Sequence, residues 1–215
     1  MKRICRLVLA PAFALTAAGA LVAEQPNYGL ALSIGVPMGD YREMSHAPTA
    51  TLPLGAVEGY DVGIGAQFTA AIPMQDHFAF RMGLSRIKTK GSYTADSETV
   101  ALDHTIFSLL GELQFFFDDA YRHNGPYIVA GLSGDFERFE RPIGIDDRWA
   151  SGVSRANRLG GTVGIGHNFG DSRRNKGDNN FVMELCYHFT LTGKDPAALD
   201  PQASNFLKVN IGFVF

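Results

Sequence analysis

Glu184, Cys186, His188 and Thr190 alternate along one short stretch, so in an extended chain all four side chains share a face. A carboxylate, a thiol and an imidazole are the donors of a metal centre, and a histidine beside a hydroxyl is a pairing used in nucleophilic catalysis. Neither reading gathers a second line of support. No further ligand falls at a metal-binding spacing. His46, His77, His104, His123 and His167 have no serine or threonine at strand spacing. The sequence therefore predicts no catalytic residue, no metal site and no cofactor, and reads this face as part of a packed polar interior.

The elements that carry these residues are strands. Tyr28 to Val36 sets Tyr28, Leu30, Leu32, Ile34 and Val36 against Gly29, Ala31, Ser33 and Gly35. Tyr60 to Met74 alternates in the same way, well beyond the five or six residues usual in a soluble strand. Phe78 to Ser85, Phe107 to Phe117, Leu159 to Phe169, Phe181 to Leu191 and Leu207 to Phe215 repeat the pattern. In Tyr127 to Phe136 the register with Ile128, Ala130, Leu132 and Phe136 outward puts Ser133 and Asp135 inside. Eight strands is an even count, which brings both chain ends to one side of a closed antiparallel up-and-down barrel. The expected fold is all-β, an eight-stranded antiparallel transmembrane β-barrel.

One face of each segment is consistently apolar. The other is rich in glycine, as suits the crowded inside of a small barrel. The charges on that smaller face, Asp61, Arg81, Glu112, Glu184 and Lys208, are of mixed sign and are expected to form an interior polar network, because buried charge is tolerated when paired. The apolar face then meets lipid. Tyr28, Phe78, Phe115, Phe117, Phe169, Phe181, Phe213 and Phe215 collect at the end holding the termini, and Tyr60, Phe107, Phe136 and Phe189 form a thinner set opposite. These are the places for two aromatic girdles.

Connections alternate in length. Pro73 to His77, Asp118 to Gly125 and Gly170 to Asn180 are the shorter three, expected as periplasmic turns. Pro37 to Gly59, Lys88 to Ala101, Glu137 to Arg158 and Thr192 to Asn205 are the longer four, expected as extracellular loops. The third long one carries Asp146-Asp-Arg-Trp149 and the only tryptophan, a candidate recognition tip or a plug over the mouth. Arg86, Lys88 and Lys90 continue the outward register of the third strand at its extracellular end. They are candidate contacts for lipopolysaccharide phosphates.

The N-terminus assigns a compartment. Lys2, Arg3 and Arg6 precede an uncharged apolar run from Leu7 to Ala18, followed by small residues, which is the pattern of a secretory signal peptide. Residues 1–20 are expected to be removed, with Ala23 as a later cleavage point, leaving 21–215 as the barrel domain. Loss of three basic residues takes the formal net charge of −3 to about −6, which argues against a nucleic-acid partner. Cys186 then remains alone and cannot form an internal disulfide.

The terminal strand Leu207, Val209, Ile211, Phe213 and Phe215 ends on an aromatic, and with the upstream alternation it resembles the C-terminal insertion signal of bacterial outer-membrane barrels. The chain as a whole resembles the small barrels of the outer membrane protein A and X type. That resemblance implies a monomer in a Gram-negative-type outer membrane, inserted by the barrel-assembly machinery and surrounded by outer-membrane lipids and lipopolysaccharide. It also implies loops that carry function, in adhesion or envelope stability. A narrow pore is the alternative. A lipid A-modifying enzyme, as some eight-stranded barrels are, is a more distant one, because His188 and Thr190 face the lumen and not the membrane. The expectation is a non-enzymatic barrel.

Overall fold

The computed structural model describes residues 26–38, 56–58, 60–95, 98–118, 120, 124–145, 148–170, 180–191 and 205–215. The proposed signal segment, residues 1–20 or 1–23, lies outside them. Among the described residues there are nine strands: β1 (Asn27–Pro37), β2 (Ala56–Glu58), β3 (Gly63–Gln75), β4 (Phe78–Ala95), β5 (Glu98–Phe116), β6 (Gly125–Ile145), β7 (Arg148–Phe169), β8 (Asn180–Thr190) and β9 (Phe206–Val214). All but β2 pair in the order β4-β3-β1-β9-β8-β7-β6-β5, and β5 pairs back onto β4. Every pairing is antiparallel, so the eight long strands make one closed barrel with no free edge along its wall.

The seam that closes the ring joins the first and last strands, with Leu30 opposite Phe213 and Val36 opposite Leu207. At its lower end Tyr28 and Phe215 exchange both backbone hydrogen bonds, at 2.9 and 2.8 Å. The start of β1 and the end of β9 therefore sit at one end of the barrel with the tight β3–β4 hairpin. The β5–β6 connection also lies there and enters β6 through Gly125, whose φ of 88° is a left-handed conformation that glycine adopts without strain. Asn124 holds that corner by accepting hydrogen bonds from the backbone N–H groups of Gly125 and Gly170.

Two hairpins run further than the alternation predicts. The segment from Lys88 to Ala101, expected as a loop, continues β4 to Ala95 and starts β5 at Glu98. The segment from Glu137 to Arg158 likewise belongs to β6 and β7, paired as far as Ile145 and Arg148. Past Leu84 and Phe136 the apolar residues that mark the outer face stop. The backbone ladder continues, because it needs N–H and C=O groups and no apolar side chain. Of the Asp146–Trp149 motif, Asp146 and Asp147 lie outside the described residues, and Arg148 and Trp149 are placed as backbone of β7.

The other correction concerns Tyr60, expected outward in the second girdle. It precedes β3 and is buried, with its ring 5.3 Å from His104. Between β2 and β3 the pairing with β4 slips, from Glu58 opposite Ser92 to Ile64 opposite Lys88, so the alternation of β3 no longer dictates where the side chains ahead of Gly63 go.

Candidate functional site

The molecule is inverted relative to a soluble protein. Leu30, Ile64, Phe68, Leu113, Leu132 and Ile165 are all exposed, with Ile64 at 64% and Ile165 at 61%. Arg81, Glu112, Asp135, Glu137, Arg158, Glu184 and Lys208 are all 5% exposed or less. β6 adopts the expected register: Ile128, Ala130, Leu132 and Phe136 face out, and Ser133 and Asp135 face in.

Around the end with the termini, aromatic rings touch from strand to strand. Phe78 meets Phe115 edge-on at 5.2 Å and Phe115 meets Phe117 at 5.6 Å. Further round, Phe169, Phe181 and Phe213 follow at 5.7 and 5.8 Å, and Phe215 and Tyr28 close the row at 6.5 Å. At the other end Phe107 faces Phe136 at 6.4 Å, and Tyr187 stacks on Phe189 at 6.0 Å.

The lumen is filled in tiers. Nearest the termini, Ala79, Phe116, Ala120, Tyr127, Val129, Val182 and Cys186 form an apolar cluster. Beside it Arg81 on β4 donates from Nε to Glu112 Oε2 on β5 at 2.8 Å, and from Nη1 to Glu184 Oε1 on β8. In the ring order β4 and β8 stand four strands apart either way, so the Arg81–Glu184 pair crosses the full width of the barrel. Glu184 is satisfied further by the Tyr127 hydroxyl at 2.6 Å and by Asn210 Nδ2 at 2.9 Å. Gln67 accepts from Lys208 Nζ at 2.8 Å and from Asn210, and Ser33 donates to Asn210 at 2.7 Å. A buried charge costs several kcal/mol unless matched, and here each cation has carbonyl or carboxylate oxygen against it.

Above this crossbar, Asp135 Oδ2 lies 3.1 Å from His188 Nε2 and accepts from Ser133 at 3.2 Å. Thr162 Oγ1 is 3.4 Å from His188 Nδ1, and the imidazole stacks on Phe206 at 4.6 Å. A third tier brings His104 Nε2 and Arg158 Nε to 3.4 and 3.2 Å from Glu137 Oε2. The aspartate, histidine and hydroxyl of the middle tier are the groups of a hydrolytic relay. At 1 to 2% exposure, however, they meet neither solvent nor the outer face. The arrangement ties β6, β7 and β8 together.

Of the residues singled out from sequence, Arg81, Glu112, Glu184 and Lys208 occupy the lumen and are joined as described. Asp61 does not. It is exposed at the mouth before β3, where its backbone N–H donates to Lys90 O at 2.7 Å. A carboxylate beyond the packed tiers keeps its water and avoids the desolvation cost. Glu184, Cys186 and His188 share an inward face, with Glu184 and His188 held in different tiers. Arg86, Lys88 and Lys90 point outward at the end opposite the termini, and Lys88 pairs with Asp103 at 2.5 Å. Leu207, Val209, Ile211 and Phe213 lie on the outer face of β9, and Phe215 follows directly after it. Tyr127, Gln67, Asn210, Asp135, His104, Glu137 and Arg158 were missed as partners. Running the inward register of β6 on from Asp135 and of β7 back from Gly160 would have found Glu137 and Arg158.

Tyr127 reaches Glu184 because it lies over Gly166, where a Cβ would overlap the phenol ring. Gly166→Val is expected to push Tyr127 off the carboxylate and to cost roughly 1–3 kcal/mol of barrel stability through overpacking. The penalty should shrink when Tyr127→Ala is also present. Urea titration of the folded band on a detergent gel measures both.

The architecture defines a closed eight-stranded antiparallel barrel with an apolar exterior and an ion-paired, filled interior. No protein family matches the chain, and no curated protein matches it. Among solved structures it is similar to Ail, the attachment invasion locus protein of Yersinia pestis, crystallised with the heparin analogue sucrose octasulfate. Identity there is 11%, coverage 89% of this chain and 100% of that one, and the TM-score 0.46. The N-terminal β-barrel domain of Pseudomonas aeruginosa OprF matches at 12% identity, with 90% and 99% coverage and a TM-score of 0.41. Neisserial surface protein A matches at 12% identity, with 87% and 94% coverage and a TM-score of 0.42. These likenesses concern the arrangement of strands.

Proposed function

We propose that the protein is an integral outer-membrane β-barrel, exported by its N-terminal signal segment and inserted by the barrel-assembly machinery. Its role is structural or one of surface interaction, carried by the extended hairpins and loops at the end away from the termini. The observation that carries this reading is the inverted distribution of side chains: large apolar residues are exposed on every strand of the wall, and charged ones are sealed inside. In water such an exterior would aggregate; in a bilayer it is solvated. A closed barrel leaves no unpaired backbone groups facing lipid, as spanning requires. The termini and short connections are placed in the periplasm, and the long hairpins outside the cell.

The reading is of a non-enzymatic, non-conducting barrel. A small indentation beside the start of β1 and the end of β9 ends against Arg81, Tyr127 and Glu184. Eight strands leave an interior that side chains fill, whereas conducting porins use about sixteen. Two measurements test the proposal. The folded protein should migrate differently before and after boiling and should fractionate with outer membranes; a soluble periplasmic pool would overturn it. In planar bilayers no steady opening is expected, and sustained ion-selective conductance would replace this reading with a pore.

A further inference from the structure

On the outer face, at the end away from the termini, Arg138 of β6 stands directly opposite Arg155 of β7. Across the next strand pair Arg138 faces Thr105, and Thr105 faces Lys88. Like charges directly opposite on a sheet repel, so this pair costs stability unless an anion lies between its members. The acidic groups nearby are already engaged: Asp103 pairs with Lys88 at 2.5 Å, and Glu140 Oε2 accepts from the backbone N–H of Asp103 at 3.1 Å. Arg138 and Arg155 are both exposed and, among the described residues, have neither an ion pair nor a side-chain hydrogen bond.

The surface below them is also distinctive. Going down β6 from Arg138 the outward positions are Phe136, then Gly134, and Gly134 lies opposite Leu109 of β5 and Leu159 of β7. Gly111 follows on β5, opposite Leu132. A Cβ on either Gly111 or Gly134 would meet nothing within 4 Å, so the exterior is bare backbone there, between leucine walls. Cationic side chains therefore sit at the head of a shallow apolar furrow that runs toward the middle of the barrel wall.

We propose that this face binds one phosphate-bearing acylated lipid of the outer leaflet, its phosphate between Arg138 and Arg155 and an acyl chain along Gly134 and Gly111. The inference rests on the membrane reading above and places the anion contact on β6 and β7, where two arginines stand directly opposite, whereas in the Arg86, Lys88 and Lys90 run Lys88 already pairs with Asp103. Guanidinium groups suit the site: their fork of N–H donors matches phosphate oxygens.

The test uses the full mature chain in phosphatidylcholine nanodiscs, with native mass spectrometry counting added diphosphorylated lipid A per barrel. The wild type should retain one. Arg138→Gln with Arg155→Gln should weaken retention about thirtyfold, near fivefold for each charge at an anionic surface. Gly134→Leu should weaken lipid A retention while the dephosphorylated lipid stays weak throughout. Unchanged retention in the double glutamine variant overturns the site. Displacement by millimolar inorganic phosphate as effective as by lipid A would make it a free-anion site and overturn the lipid assignment. Folded, boiling-sensitive barrel is measured in each sample, so a wild type that never inserts counts against the membrane reading and not against this one.

Discussion

Arg81→Met is expected to destabilise the barrel by roughly 3–5 kcal/mol, the range for removing one partner of a buried ion pair. The guanidinium is the only cation in direct contact with Glu112 and Glu184 among the described residues. Without it two carboxylates, on β5 and β8, are left buried in the lumen. Tyr127 and Asn210 would still donate to Glu184, but Glu112 would keep no charged partner. The loss should appear as a lower urea midpoint of the folded band in detergent and, in cells, as barrel cleared by periplasmic proteases. A triple variant, Arg81→Met with Glu112→Gln and Glu184→Gln, should recover most of that stability, because it removes the stranded charges with their partner. If the single variant unfolds at the wild-type midpoint, the crossbar is not structural. If the triple is as weak as the single, the loss comes from packing and not from charge.

The second large effect concerns the exterior. Leu132 is 57% exposed and lies midway along the outer face of β6, between Ile128 and Phe136. Leu132→Arg is expected to cost roughly 2–4 kcal/mol, the price of an arginine at the bilayer midplane. The same substitution at Leu191, just beyond the end of β8, should cost only about 0–1 kcal/mol. The comparison is made by reversible folding into phospholipid vesicles, with wild-type, Leu132→Arg and Leu191→Arg chains titrated in parallel. A soluble barrel gives the opposite result, since arginine on a water-facing strand costs almost nothing. Equal, small effects at both positions would remove the membrane from the account.

Much of this wall was legible because a spanning strand must be apolar on one side for its whole depth. That constraint wrote Leu30, Leu32 and Ile34 in β1 and Phe181, Met183 and Leu185 in β8 at every second position, and it set the direction of β6 despite its ambiguous start. The signal ends where the constraint ends. From Arg86 up β4 and from Arg138 up β6 nothing obliges the outer face to be apolar, so the continuing hairpins carry no period-two mark. The interior was half legible. Arg81, Glu112, Glu184 and Lys208 announced themselves as charges at inward positions. Which of them would meet depends on ring order and strand stagger, and these appear only once the sheet closes. Asp135 of β6 and His188 of β8 are 53 residues apart in sequence and in contact over Gly160 of the intervening β7. Asp61 shows the converse: an inward parity means nothing once the strand has ended.

The seam between β1 and β9 also governs timing. Tyr28 finds its backbone partners in Phe215, so the first strand to leave the ribosome waits for the last. Any shorter nascent chain presents two raw edges and an apolar exterior, and it can neither seal nor be left alone in water. Closure of the ring therefore waits until β9 is available to pair with β1.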